Sequence, residues 1–317
     1  MPGHRQRAHD LSFKQLFARP ELVADLLRSY GDRHITKRLD LGTLERCNGS
    51  YVSPDLRERR TDMIWRVRTR DQEWIYVYLL LEFQSRVDRF MAVRVLNYIS
   101  LMWQDLIDQK KLLEDGRLPP VLPLVLYNGS GTWTAPCSLR QLISPALPLL
   151  NPLQPDCSFL LLDAHRLPTA AGLRARSLSA AIMALEQSRD DNERERIVMT
   201  INSWLRDRPE VGEAMASWIV EALAHSGLME RPAGDRLKLN KVESMLHVTL
   251  RRQAAAARAA ARAEGRAEGE AAMMRLIHQL VKGGKLSVAD ARTQVRGLQR
   301  DKILPRQSAR RFLAQLG

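Results

Sequence analysis

Residues 61–85, TDMIWRVRTRDQEWIYVYLLLEFQS, constrain the fold more than any other part of the chain. Residues 62–68 alternate apolar and polar, with Met63, Trp65 and Val67 on one face, the period of a half-buried strand. Residues 69–73 are polar and suit a chain reversal. Residues 74–83 are aromatic, β-branched or leucine on both faces, as in a buried central strand. Glu82 and Gln84 contradict that burial at its far end and, being two apart, fall on one side of the sheet.

A hairpin folded about residues 71 and 72 sets Asp62 opposite roughly residue 82. Two carboxylates then sit side by side at the edge of an apolar sheet, where repulsion and burial both oppose their ionisation. A divalent cation relieves both penalties. Mg²⁺ takes one or two carboxylates together with waters and phosphate oxygens, so the pair Asp62 and Glu82 suits it. The alternative is a solvated strand end on which two surface acids happen to align, because Asp and Glu are mostly exposed.

With 317 residues the chain is long enough for one main domain and an appendage. Its formal net charge of +13 is the unusual property. Such an excess favours a polyanionic partner, nucleic acid first, because Lys and Arg displace counterions from phosphates. Charge alone does not separate DNA from RNA or an acidic membrane. Cys47, Cys137 and Cys157 show neither C-x-x-C pairing nor zinc spacing, which fits a reducing cytosol. The amino terminus has no apolar run behind its charges, and no stretch approaches the roughly 18 apolar residues of a membrane span. The expectation is a soluble, cytoplasmic, basic protein with no membrane partner.

Along the chain, residues 9–29 read as helix, with Pro20 opening a second one. Residues 32–60 are mixed, and the charged run at 55–60 remains open between short helix and loop. Residues 87–111 carry the clearest helical stripe, stopped by Gly116 and the pair Pro119 and Pro120. Short apolar strands follow at 121–127 and 158–162, the second ending at Asp163. Helix, two strands, helix, strand, loop and strand make an α/β domain with a mixed sheet. Residues 177–187, 193–206 and 209–225 then read as amphipathic helices. The domains expected are a core at 9–165, a helical extension at 166–230, an Ala/Arg/Glu-rich arm at 231–270 and a basic tail at 271–317. The arm has no core of its own and is either an exposed helix or an oligomerisation helix, through which the chain would self-associate. In the tail, Ser287 is a good N-cap. Its basic residues, including Arg296, Arg300, Arg310 and Arg311, either touch a DNA backbone or form a solvated charged face. His165, His225, His247 and His278 are scattered and read as surface or helix-lining residues.

With these residues in view, the chain resembles the recombination-promoting nuclease (Rpn) family, also described as YhgA-like transposases, within the PD-(D/E)xK nuclease superfamily. Four blocks carry the resemblance: His9-Asp10 with Phe13-Lys14, residues 59–62 (RRTD), residues 81–85 (LEFQS) and residues 123–129 (PLVLYNG). They cover about half of the chain, and the Glu-Gly repeat of the arm is similar to tails in this family. The resemblance implies a PD-(D/E)xK-like mixed sheet flanked by helices, with an all-helical C-terminal extension. It also implies Mg²⁺-dependent cleavage of DNA phosphodiester bonds that promotes recombination.

By position, Asp62 and Glu82 would bind the metal, and Gln84 would orient the attacking water. Gln84 stands where the superfamily usually has Lys, and a Gln cannot supply the positive charge. Lys14 from the first helix or Arg60 beside the hairpin would then meet the charge that develops on the phosphate. Asp10 is either an additional acid or a helix cap. The missing Lys also leaves open a catalytically weak or inactive nuclease-fold protein that acts as a DNA-binding or assembly module.

Overall fold

A computed structural model describes residues 2–47, 62–82, 87–129, 131–145, 148–232, 237–301 and 303–316. Two compact units divide after His247. The first is built on a five-stranded sheet in the order β1-β2-β3-β4-β5. Its strands are β1 (Leu39–Arg46), β2 (Asp62–Thr69), β3 (Trp74–Glu82), β4 (Val121–Tyr127) and β5 (Leu160–Asp163). The first three are antiparallel, whereas β3 with β4 and β4 with β5 are parallel. The expected mixed α/β sheet is therefore present, with one strand more than the sequence suggests. That strand, β1, lies in the mixed 32–60 segment. Its side-chain burial does not alternate, because only Leu39 and Leu44 are buried, so its sequence carries no period of two.

A parallel neighbour needs a crossover, and helix Met91–Asp108 supplies it between β3 and β4. Its buried stripe, Met91, Ala92, Val95, Tyr98, Ile99, Met102 and Leu106, follows the spacing of three and four. The stripe packs on Ile64, Tyr76, Tyr78, Leu80 and Val125 of the sheet. Trp65, Val67, Val77, Leu79, Leu124 and Leu126 alternate with these residues and are also buried. The sheet is thus covered on both faces, as the continuous apolar run of β3 requires.

Numbered in chain order, the helices before the sheet are α1 (Pro2–Phe17), α2 (Pro20–Tyr30) and α3 (Arg33–Thr36), and the crossover is α4. After β5 come α5 (Ala170–Arg174), α6 (Leu178–Gln187), α7 (Asp191–Trp204) and α8 (Pro209–His225). Pro20 opens α2 at the expected position, where its missing N–H costs nothing. Phe13 of α1 meets Trp218 of α8 edge to face at 6.0 Å. At the start of α6, the Ser177 hydroxyl accepts from the Ala180 N–H at 3.1 Å and donates to Asp25 of α2 at 2.7 Å. Asp25 also accepts from the Ser179 N–H at 2.7 Å. Ser177→Ala removes a cap and leaves Asp25 short of a donor, so it should lower unfolding free energy by about 2 kcal/mol, measured by urea titration.

In the second unit, residues 248–317, α9 (Leu239–Lys282) continues from the first unit. It is followed by α10 (Val288–Arg300) and α11 (Arg306–Gln315). A small core of Ile277, Ala291, Val295, Leu304, Ala309, Phe312 and Leu316 joins these helices. The sequence pattern separates an arm ending at 270 from a helix at 273–281, but the helix runs through both. Gly265 and Gly269 cost about 1 kcal/mol each in a helix interior, too little to break a segment otherwise rich in Ala, Arg and Glu. Residues 251–269 are exposed throughout. Ser287 caps α10 as expected, accepting from the Asp290 N–H at 3.1 Å.

Candidate functional site

The two acids singled out in the sequence occupy neighbouring strand ends. Asp62 is the first residue of β2 and Glu82 the last of β3. The register, however, pairs Asp62 with Leu80, not with a residue near 82. The turn explains the difference. The Thr69 N–H donates to the Glu73 carbonyl at 2.7 Å, and the Gln72 N–H donates to the Thr69 carbonyl at 3.0 Å. Gln72 takes a left-handed backbone, φ 69°, so a three-residue loop closes the hairpin about residue 71. Glu82 lies one two-residue step past the partner of Asp62, so the two positions share a sheet alternation. Such diagonal positions are separated by roughly 7–8 Å across a ladder. Gln84 and Arg60 lie outside the described residues.

Glu82 also pairs with Tyr127 of β4, and Tyr127 with Asp163 of β5. The ends of three strands thus form one row. Asn128, the residue after Tyr127, is buried and donates through Nδ2 to Glu186 Oε2 at 3.2 Å. Glu186 Oε1 lies 2.9 Å from His9 Nε2, joining α6 to α1. His9 stacks on His225 of α8 with ring centroids 5.2 Å apart, and its Nδ1 lies 4.0 Å from Asp10. Asp163, also buried, accepts from the His165 N–H at 3.2 Å and sits 3.8 Å from Arg166.

His9 is only 4% exposed and Glu186 only 11%. Burial alone would lower the His9 pKa, but the hydrogen bond and charge of Glu186 overcome it and hold the pKa above 6.5. Burial would likewise raise Glu186, but the His9 hydrogen bond and charge hold it below its usual range. Each partner thus favours the charged form of the other. Burial first, and then the charge on His9, push His225 down, so it stays neutral against that ring.

Glu186, Asn128 and Asp163 do not emerge as site residues from the sequence, and His225 has no evident partner there. The available signals were a lone Glu on the otherwise apolar α6 and polar residues closing the apolar runs of β4 and β5. Asp10 and Lys14 are half-buried on α1, in the first unit. The α1–α6–α8 network approaches the sheet through Asn128, whereas the alternation of Asp62 and Glu82 is that of Ile64, Tyr78 and Leu80, which pack on α4. Arg296 and Arg300 are exposed on α10, and Arg310 and Arg311 on α11, all in the second unit. Burial pushes the Cys47 thiol up to about 11, which leaves it protonated and unsuited to nucleophilic work.

The model of the family described as "Putative transposase, YhgA-like" matches residues 7–214, well over half of the chain. The chain belongs to this YhgA-like family. It is similar to "Recombination-promoting nuclease RpnD" of Escherichia coli O157:H7, 30% identical over 45% of this chain and 58% of that protein. It is also similar to "Recombination-promoting nuclease RpnA" of Escherichia coli strain K12, 31% identical over 45% of this chain and 51% of that one. "Inactive recombination-promoting nuclease-like protein RpnE" of the same strain is 29% identical over 57% of this chain and 59% of its own length. The chain thus spans between half and three-fifths of the length of these curated relatives. No solved structure matches the chain. No helix among the described residues is long and apolar enough to cross a membrane.

The region matched by the YhgA-like model contains His9, Asn128, Asp163 and Glu186, so the buried pair lies within the family segment. Its pH dependence has a definite sign. A raised His9 pKa stabilises the fold fully below 6.5 and loses that contribution as pH rises through the raised value. A lowered Glu186 pKa stabilises fully above 4.5 and loses that contribution as pH falls through the depressed value. The lowered His225 acts oppositely to His9, costing stability as pH drops below 6.5. Asp10 and Glu221 also face His9 and favour its charge. The stability difference between the wild type and His9→Gln should therefore be largest near pH 5–6 and shrink as pH rises through the raised His9 value. Thermal melts across that range measure it.

Proposed function

We propose that this chain is a divalent-metal-dependent DNA endonuclease that promotes recombination, on a PD-(D/E)xK-like core. One observation carries the reading: Asp62 and Glu82 occupy adjoining strand ends with the same alternation, where the apolar run of β3 stops. The α-β-β-β-α-β order, with an antiparallel hairpin feeding a parallel crossover, supports the fold assignment. Membership of a family whose relatives are named recombination-promoting nucleases supports the reaction, and the net charge of +13 supports the polyanionic substrate.

The donor chemistry fits the metal. Both groups are hard carboxylate oxygens, and two of them leave room in an octahedral shell for water and phosphate, as Mg²⁺ prefers. A bound cation supplies Lewis-acid polarisation of a phosphoryl oxygen and a more acidic water. The chain's residues do the rest. Asp62 and Glu82 would hold the ion. Gln84 accepts a hydrogen bond from the attacking water and orients it for in-line attack. Arg60, or Lys14 reaching past the strand ends, offsets charge on the scissile phosphate. Asp10 lies in the interior of α1 and not at its start, so it caps no helix; it sits beside the buried His9. Arg296, Arg300, Arg310 and Arg311 add backbone contacts to DNA from the second unit.

The test is conversion of supercoiled plasmid to nicked or linear form, with Mg²⁺ and with EDTA. Cleavage that requires the ion supports the enzyme. DNA binding that is independent of metal, with no cleavage, supports instead a nuclease-fold binding or assembly module. The relative named as inactive and the Gln at position 84 are the observations that favour this second reading.

A further inference from the structure

A groove on the first unit runs along the edge strand β1, far from the paired acids. One cavity of about 450 Å³ is walled by Arg28 of α2, Arg33 and Lys37 around α3, residues 39–42 of β1, and Arg70 of the hairpin turn. A second, of about 380 Å³, shares Arg28, Leu41 and Gly42 with the first and adds Arg176 and Arg208. The shared residues make the two adjoining parts of one basic groove, called the channel below. All six cationic side chains are exposed. Among the described residues, none of the six forms an ion pair.

The three carboxylates in the same walls are Glu21, Asp25 and Asp40. Asp25 is engaged by the Ser177 hydroxyl and the Ser179 N–H, and Asp40 by the Gly42 N–H at 3.1 Å. The channel therefore presents an excess of positive charge along its length. Arg176 adds a separate observation. It follows α5 with a left-handed backbone, φ 57°, a position where glycine is the favoured residue. An arginine kept there at a conformational cost fits a use for its charge.

We propose that this channel holds the phosphate backbone of duplex DNA that flanks the cleaved bond. The inference rests on the nuclease reading above, and adds to it where the substrate lies. Arg70 spends its Nε–H on the Lys37 carbonyl at 2.8 Å, and a run of Arg and Lys without ion-pair partners among the described residues recognises successive phosphates without reading bases. Among the described residues no aromatic side chain lines the channel, which favours duplex over the stacking that single-stranded DNA uses. The channel meets β2 at its far end, where Arg70 follows Thr69, whereas Asp62 begins that strand. Eight residues of extended chain span about 24 Å, the length of about 7 base pairs. The channel thus holds DNA well to one side of the bond cut at the strand ends.

The test uses the full chain and a fluorescent duplex several helical turns long, with affinity read by anisotropy over a series of salt concentrations. Arg28→Gln, Arg33→Gln, Lys37→Gln and Arg176→Gly are combined in one variant. The affinity should fall at least tenfold, and the slope of log affinity against log salt should shrink by about one for each phosphate that is no longer neutralised. A charge-retaining variant, Arg28→Lys with Arg33→Lys, should bind within threefold of the wild type, which separates lost charge from lost folding. Unchanged duplex affinity and slope in the neutralised variant overturns the proposal, as does a loss confined to single-stranded DNA. Loss of inorganic tripolyphosphate binding with duplex binding intact also overturns it, assigning the channel to a small polyanion. Because the readout is binding, a chain that never cuts plasmid but shows the charge-dependent loss refutes the nuclease reading and leaves the channel assignment standing.

Discussion

Asp62→Ala should lower plasmid nicking by about a thousandfold or more, the scale on which a preorganised electrostatic contribution is lost from a phosphoryl-transfer site. The residue is the first of β2, and a urea titration of the variant checks that the fold is retained. Asp62→Asn keeps the size and backbone position and removes the charge, and it should be as inactive as the alanine variant. Glu82→Gln makes the same change on the adjoining strand, three positions beyond the fully buried Leu79. Titration calorimetry should show Mg²⁺ binding to the wild type and its loss in both charge-removing variants. Full nicking activity in either would remove the strand-end pair as the metal site. Retained metal binding with lost cleavage would instead place the deficit in water orientation, to which Gln84→Ala is the matching control.

Glu186→Ala should destabilise the first unit by about 3–5 kcal/mol, the usual consequence of removing one partner from a buried ion pair. The loss has three components. The His9 ring, 4% exposed, is left with its charge uncompensated and must become neutral. Asn128 loses the acceptor of its Nδ2 group at 3.2 Å. A void opens where α6 meets α1. Glu186→Gln preserves the shape and an acceptor for Asn128, so it should cost about half as much or less. It should also flatten the pH dependence, because no carboxylate remains at that position to hold His9 charged. Urea unfolding at pH 6 and again at pH 8.5 measures both effects. Equal losses at the two pH values would mean that packing, not charge, joins the two helices. The consequence for function is indirect: the pair and Asn128 tie α1 to the end of β4, whose Tyr127 is the strand partner of Glu82. Displacing that end should also slow cleavage.

Sequence and fold diverge most instructively at the hairpin. The alternation of β2 and the apolar run of β3 are local, and both strands form where those patterns place them. The register departs from the expected one by about two residues because it depends on one backbone angle. Gln72 enters the left-handed region, a conformation that the polar run Arg70, Asp71, Gln72 and Glu73 does not signal as Asn-Gly would. The stripe of α4, the cap at Ser287 and the Pro20 helix start were likewise legible, because each is decided within a turn or two of helix.

By itself, then, the sequence determined the α/β class, most of the helices and strands, the family, and which two acids lie at strand ends. Its signals are periodicity and capping, which act over a few residues and survive any tertiary arrangement. Tertiary structure alone decided that His9 meets Glu186, 177 residues away, that β1 joins the sheet, and that cations from α2, α3 and distant turns wall one channel. These juxtapositions are set by how helices pack over the two faces of the sheet. A buried charge pair forms only where that packing excludes water and brings the two groups together, and no local pattern in the chain encodes such a meeting.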